Sequence, residues 1–186
     1  MQMLDTKRPL YIVLSGLPGS GKTTFVAELL NKWRYPKPVI VSTDDYIQSI
    51  ADAKGSTYSA EFKSLIPDAE TYAKATRRYA LRDGCSIIHD QTNLNAKSRM
   101  KRISGVPPEY LKVCILVSCD ESERQDRLRR RIGKFIPPEI DASMRTSQGP
   151  VSEKEGFDVV VSCQEAWEIL RPFFREAPAP ADLALA

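Results

Sequence analysis

The chain has 186 residues, 42 % of them apolar, which is enough for one globular domain with a real core. No apolar run approaches the ~20 residues a membrane span needs, and nothing at the start reads as a signal peptide. The net charge of +3 does not by itself name a partner, and four cysteines without CxxC or Cys/His spacing predict reduced thiols in a cytoplasmic protein.

Taken in order, LYIVLS (10–15) predicts a strand, and 22–33 has helical composition. VIVS (39–42) predicts a second strand with a short helix from Asp44. The stretch 52–66 suits helix or loop equally well. PDAETYAKATRRYALRDG (67–84) predicts a long helix, with Pro67 in its first turn, acids early, arginines late and Gly84 as its stop. SIIHD (86–90) is the third strand, followed by a helix over 96–103. LKVCILVS (111–118) is the fourth, followed by an arginine-rich helix and another from Pro137. FDVVVS (157–162) is the fifth, with a terminal helix to about Phe174.

Strands that are apolar throughout and alternate with helices argue for an α/β fold: a doubly wound parallel five-stranded sheet covered on both faces. Residues 1–174 read as a single domain, and the Pro/Ala-rich stretch 175–186 as a disordered tail. Two basic segments, KSRMKR (97–102) and RQDRLRRRIGK (124–134), suit a polyanionic ligand.

Between the first strand and first helix lies Gly16-Leu17-Pro18-Gly19-Ser20-Gly21-Lys22-Thr23, which fits GxxxxGK[ST] in the required context. Glycines let successive backbone N–H groups turn toward phosphate oxygens, and the helix that opens there adds its positive end. The predicted nucleotide site therefore comprises Gly16, Pro18, Gly19, Ser20, Gly21, Lys22, Thr23 and Thr24. Lys22 reaches the β- and γ-phosphates of ATP, and Thr23 is placed to hold Mg²⁺.

Ligands in such folds sit beyond the carboxyl ends of the strands. Asp44 and Asp90 leave two other strand ends, so both face the same edge as the phosphate loop. A phosphotransferase needs a base for the attacking hydroxyl and an acid that organises the waters of Mg²⁺. Asp44 is the candidate base and Asp90 the candidate water-shell acid. Both also suit helix capping, and Asp45 suits a charge on a helix dipole. His89 is expected to pack within its strand end.

The combination GxPGSGKT, S-x-DDY-x-QSI and D-x-TNLN resembles the kinase domain of phage-type polynucleotide 5′-hydroxyl kinases, and more distantly that of the animal DNA-repair enzyme. The resemblance runs from about Leu10 to Met144. It implies a P-loop kinase fold with an arginine-rich helical lid, ATP and Mg²⁺ as cofactors, and the 5′-OH end of a nucleic acid as substrate. It assigns general-base catalysis to Asp44. An alignment of the lid anchored on Ser143-Met144 places the donor-phosphate arginines at Arg127 and Arg131, four apart as one helical face requires. On the acceptor side the expectation is Asp45, Thr92, Asn93 and Arg99, with Arg102 as a further basic neighbour.

Ile47 stands where the phage enzymes carry an arginine for the acceptor's 3′ phosphate, and no DxDGT-type acid motif for a 3′-phosphatase is present. The competing readings are a small-molecule kinase of the same superfamily, acting on a sugar nucleotide, nucleoside or antibiotic, and a nucleotide-dependent switch or binding module.

Overall fold

The computed structural model describes residues 4–34 and 36–174; the expected tail, 175–186, lies outside them. The strands are β1 (Leu10–Ser15), β2 (Val39–Val41), β3 (Ile87–His89), β4 (Leu111–Leu116) and β5 (Val159–Ser162). They form one parallel sheet in the order β2-β3-β1-β4-β5, with Tyr11 beside Ile87 and Lys112. The helices are α1 (Lys22–Lys32), α2 (Thr43–Ala53), α3 (Tyr58–Arg82), α4 (Ala96–Ile103), α5 (Glu121–Arg130), α6 (Pro138–Ser147) and α7 (Cys163–Ile169). No helix among the described residues is long and apolar enough to cross a membrane.

The period-2 geometry of β1 divides the core between two faces. Leu10, Ile12 and Leu14 pack with Phe25, Val26 and Leu29 of α1 and with Ala166 and Ile169 of α7. Tyr11 and Val13 point the other way, onto Ala73 and Ala80 of α3. Each such fully buried branched side chain contributes about 1.5–3 kcal/mol. Because β1 is covered on both sides, every one of its residues is buried, as the uninterrupted apolar run predicts.

Helix α3 departs from expectation. It begins at Tyr58 rather than Pro67, capped by the Thr57 hydroxyl, which accepts from Ala60 N at 3.3 Å. Pro67 lies inside the helix, where it lacks the N–H that would bond four residues back. Tertiary packing offsets that loss: Tyr58, Ala69, Ala73 and Ala80 form a buried stripe. Tyr58 and Ala69 enclose Ile47 of α2 in a small third core.

The arginine-rich helix also ends sooner than the expected geometry requires. Arg131 is the C-cap of α5, with an extended backbone (ψ 115°), so Arg127 and Arg131 do not share a helical face.

Candidate active site

The phosphate loop is held between two strand ends. Gly16 N donates to Thr92 O at 2.9 Å, and Val117 N donates to Ser15 O at 2.8 Å. A Cβ on Gly16 would lie 2.2 Å from Val117 O, so only glycine fits there. Gly21 has φ 101°, a left-handed backbone that glycine adopts without strain, and caps α1 with no side-chain hydrogen bond. The first N–H groups of α1 thus lack a side-chain acceptor, the arrangement that receives anions at helix starts.

Two side chains in the loop fit a phosphate. Ser20 Oγ is buried without a hydrogen-bond partner. Lys22 folds back, donating from Nζ to Gly16 O at 2.8 Å and Leu17 O at 2.9 Å. Burial pulls its pKa down to about 8; Arg131 and Lys134 push the same way, while Asp90 and Asp44 oppose them. The lysine therefore feels both candidate carboxylates and a lid cation together. Thr23 and Thr24 are exposed on the first turn of α1. Thr24 joins Ser20, Gly21, Phe25, Arg127 and Trp167 around an open cleft of about 610 Å³ beside the loop.

Asp44 does not cap α2. Ser42 does, accepting from Asp45 N at 3.1 Å, which leaves the Asp44 carboxylate for other partners. Its Oδ1 accepts from the Tyr58 hydroxyl at 2.8 Å, and its Oδ2 pairs with Lys134 Nζ. Lys134 also stands 3.9 Å from the Tyr58 ring centroid, a cation–π contact. Asp45 is raised above the usual carboxylate range by burial, which outweighs its hydrogen bonding with Ser42. Asp90 is pushed up to about 6, again by burial first; Lys22 opposes the rise and Asp45 and Asp44 add to it. Asp44, Asp45, Asp90 and Lys22 thus form one electrostatic neighbourhood at the carboxyl ends of β1, β2 and β3.

From the lid, Arg127 Nη1 donates to Gly19 O at 3.3 Å and Nη2 pairs with Glu123 at 2.5 Å. Arg131 is half-buried and within electrostatic range of Lys22 and Tyr58. Arg127 thus touches the loop, whereas Arg131 acts on it only through its charge.

Two expected acceptor-side residues, Arg99 and Asn93, are buried, and Arg102 and Thr92 are half-buried. Arg99 is fully buried: it pairs twice with Glu155, at 2.7 and 2.8 Å, and donates to the carbonyls of Leu94 and Pro150. It bolts α4 to the segment before β5, because a buried guanidinium must have every donor met. Asn93 is buried at φ 42° and donates from Nδ2 to Leu14 O at 2.8 Å, so it braces β1 instead of reaching out. Arg102 is half-buried and donates to Asn93 Oδ1 at 3.3 Å. Thr92 is half-buried, with its carbonyl bonded to Gly16 N.

The residues the sequence reading missed are Tyr58, Lys134 and Arg124. Tyr58 lies in the stretch left unassigned, and Lys134 is one cation in a basic run; neither has a local signal. Arg124, 2 % exposed, makes a two-pronged pair with Asp141 at 2.7 Å and donates to Pro18 O at 3.1 Å. It ties α5 and α6 to the phosphate loop. Only its partners, 17 and 106 residues away, distinguish it from its neighbours. His89 is buried, and burial pulls its pKa down to about 3 with Arg102 and Arg77 adding to the effect, so it is neutral and packs as expected.

Among proteins of known family, a family model described as an AAA domain matches residues 12–145. A 2′,3′-cyclic-nucleotide 3′-phosphodiesterase from Pongo abelii is 30 % identical over 105 residues, 56 % of this chain but only 23 % of that protein. Among solved structures, a candidate kinase from Chloroflexus aurantiacus superposes with TM-score 0.61 at 17 % identity, over 90 % of this chain and all of that one. A chain of the Pnkp1/Rnl/Hen1 RNA repair complex gives 0.58 at 20 % identity, over 75 % of this chain and 44 % of that one. A shikimate kinase from Acinetobacter baumannii gives 0.51 at 14 % identity, over 96 % of each. These likenesses show the P-loop kinase fold.

Proposed function

The chain belongs to the AAA domain family, and we propose that it is an ATP-dependent polynucleotide 5′-hydroxyl kinase, passing the γ-phosphate to the 5′-OH end of DNA or RNA. The observation that carries this reading is the Asp44 carboxylate, released from capping by Ser42 and oriented by the Tyr58 hydroxyl at the edge that holds Lys22.

In this reading the backbone of Gly16–Thr23 and the Lys22 ammonium hold the donor phosphates, with the Ser20 hydroxyl as a further donor. The acceptor's 5′ oxygen attacks the γ-phosphorus as the bond to the β,γ-bridging oxygen breaks, and Asp44 takes the hydroxyl proton. Arg127 and Arg131 place fixed charge on the transferred group. Among the described residues no cluster of three or more His, Cys, Asp or Glu could hold a metal. Mg²⁺ keeps its waters and leans on few protein groups; here Thr23 would hold it directly and Asp90 through water. When bound, Mg²⁺ neutralises the phosphate oxygens. Asp45 and Thr92 border the acceptor side.

A small-molecule acceptor is the second reading, and one observation favours it. Ile47, where the resembling enzymes carry a cation for the acceptor, is fully buried in the α2–α3 core and cannot reach any ligand. Against it stand the DDY-x-QSI and TNLN motifs, and the Pnkp1 likeness lends the polynucleotide reading its support. The test is transfer of labelled γ-phosphate from ATP to 5′-OH DNA and RNA oligonucleotides, with wild type beside Asp44→Asn. Transfer lost in the variant while ATP still binds is the expected result. No transfer from wild type that binds ATP overturns the polynucleotide acceptor.

A further inference from the structure

The crown of the phosphate loop, Leu17-Pro18-Gly19-Ser20, is a β-turn closed by Ser20 N, which donates to Leu17 O at 3.2 Å. Pro18 is its first central residue and Gly19, at φ 84°, its second, which is the type II form. Types I and II differ in their middle peptide, which turns over by roughly 150–170° between them. Here that peptide joins Pro18 to Gly19. Its orientation decides where one carbonyl and one N–H of the loop point, since a trans peptide sets the two opposite each other.

The carbonyl faces α5, where Arg124 Nη1 donates to Pro18 O at 3.1 Å. The rest of this buried guanidinium is already spent. Nε and Nη2 donate to Glu121 at 2.7 and 2.8 Å, and Nη1 and Nη2 donate to Asp141, both at 2.7 Å. A guanidinium has five N–H groups in a rigid fork, so the two carboxylates orient it and leave one N–H, which the loop carbonyl takes. Arg124 therefore has no donor left for a ligand, unlike the exposed Arg127 one turn on.

The Gly19 N–H points away from α5 and meets no acceptor among the described residues. If the peptide turned over, that N–H would face the guanidinium and the Pro18 carbonyl would take its place. A buried charged donor would then go unmet, which costs more than a neutral one. The Arg124 contact thus holds the turn in the form that keeps an N–H free on the side opposite the lid helix.

We propose that Arg124 is a positioning residue for the donor phosphates. From α5 it locks the Pro18–Gly19 peptide so that the Gly19 N–H receives a phosphate oxygen, a role that rests on the nucleotide reading of the loop and holds for any acceptor. Asp141 and Glu121 serve by aiming the guanidinium. The phosphate loop and the lid are then one device, because the seating of α5 and α6 sets the loop's affinity for phosphate before a nucleotide arrives.

The experiment titrates the full chain with tripolyphosphate and with ATP, each with Mg²⁺, in wild type and in the double variant Arg124→Leu/Asp141→Leu. Replacing both members of a buried pair by apolar residues often leaves stability intact, which melting checks. In wild type the Gly19 amide proton is expected to move downfield in proton–nitrogen spectra as tripolyphosphate binds. In the variant that shift is lost and affinity for both ligands falls about tenfold or more, the scale of one hydrogen bond to a charged group. A merely structural pair would alter melting and leave the amide shift and the affinities of the folded protein as they were, which overturns the inference. A Gly19 amide that stays put in wild type while tripolyphosphate binds overturns it too, even if the variant fails to fold. Failure of wild type to bind either ligand overturns the nucleotide reading itself.

Discussion

The Tyr58 hydroxyl donates a 2.8 Å hydrogen bond to Asp44 Oδ1, joining the first turn of α3 to the first turn of α2. Burial and the neighbouring Asp44 charge hold the phenol's proton on, so Tyr58 acts as a donor at all working pH. This bond selects one orientation of the carboxylate and leaves the second oxygen toward Lys134.

Tyr58→Phe keeps the ring that packs on Ile47 and removes only the donor. A hydrogen bond to a charged group is worth about 1.5–3 kcal/mol, and one pKa-scale step of 1.4 kcal/mol is about tenfold in rate. Steady-state kinetics should show kcat for phosphoryl transfer reduced about tenfold or more, with ATP affinity retained. Unaltered kcat would remove Tyr58 from the site.

Nucleotide binding should take up a proton in mildly alkaline solution. Lys22 is buried with its pKa lowered to about 8, so at about pH 8.5 it is largely neutral until phosphates restore its charge. Calorimetry of ATP binding in two buffers of different ionisation enthalpy should give different apparent enthalpies at about pH 8.5, and nearly equal ones at about pH 6.5. Lys22→Met should abolish the difference along with turnover. For the free protein the sign follows: between 8 and 10.5 the unfolded chain holds a proton that the folded one lacks, so this group makes stability rise with pH across that window.

His89 and Asp90 are adjacent and should act oppositely on acid stability. The folded pKa of His89 is depressed from 6.5 to about 3, so the unfolded state binds a proton first and stability falls as pH drops through that interval. The folded pKa of Asp90 is raised from 3.8 to about 6, so its contribution improves as pH falls through that range. Denaturant titrations from pH 7 to 4 should show His89→Gln losing less stability on acidification than wild type, and Asp90→Asn losing more. Parallel curves for all three proteins would refute both assignments.

Arg99 should matter to stability and not to the salt dependence of acceptor binding. Arg99→Met leaves Glu155 buried without its partner, which costs about 3–5 kcal/mol. For a chain of this size that corresponds to a melting temperature lower by roughly 10 °C. Exposed phosphate contacts would behave otherwise, flattening the salt slope of oligonucleotide binding with little change in melting.

The phosphate loop could be read directly because its chemistry is contiguous. Gly16 to Thr23 form one turn between a strand and a helix, and the requirement for backbone N–H groups, glycine freedom and one lysine is met within eight residues. The same holds for the strands, whose period and length are local properties, and for the position of Asp44 and Asp90 just past strand ends. Local order did not give the geometry of the lid arginines, because Arg131 is the extended C-cap of α5 and does not share a helical face with Arg127.

What only the tertiary structure decided are the partners of charged groups. Arg99 and Arg124 read as two basic residues in basic runs, yet both are buried, because Glu155 and Asp141 meet them across 56 and 17 residues. Burial of a charge is tolerable only where a distant segment supplies the opposite one, and that depends on how helices settle on the sheet. Lys134 and Asp44, 90 residues apart, meet for the same reason. The sequence determined the glycine-rich loop between β1 and α1 and which acids follow the strand ends. The packing of α3, carrying Pro67 in its interior, decided which of those acids meets Tyr58 and Lys134.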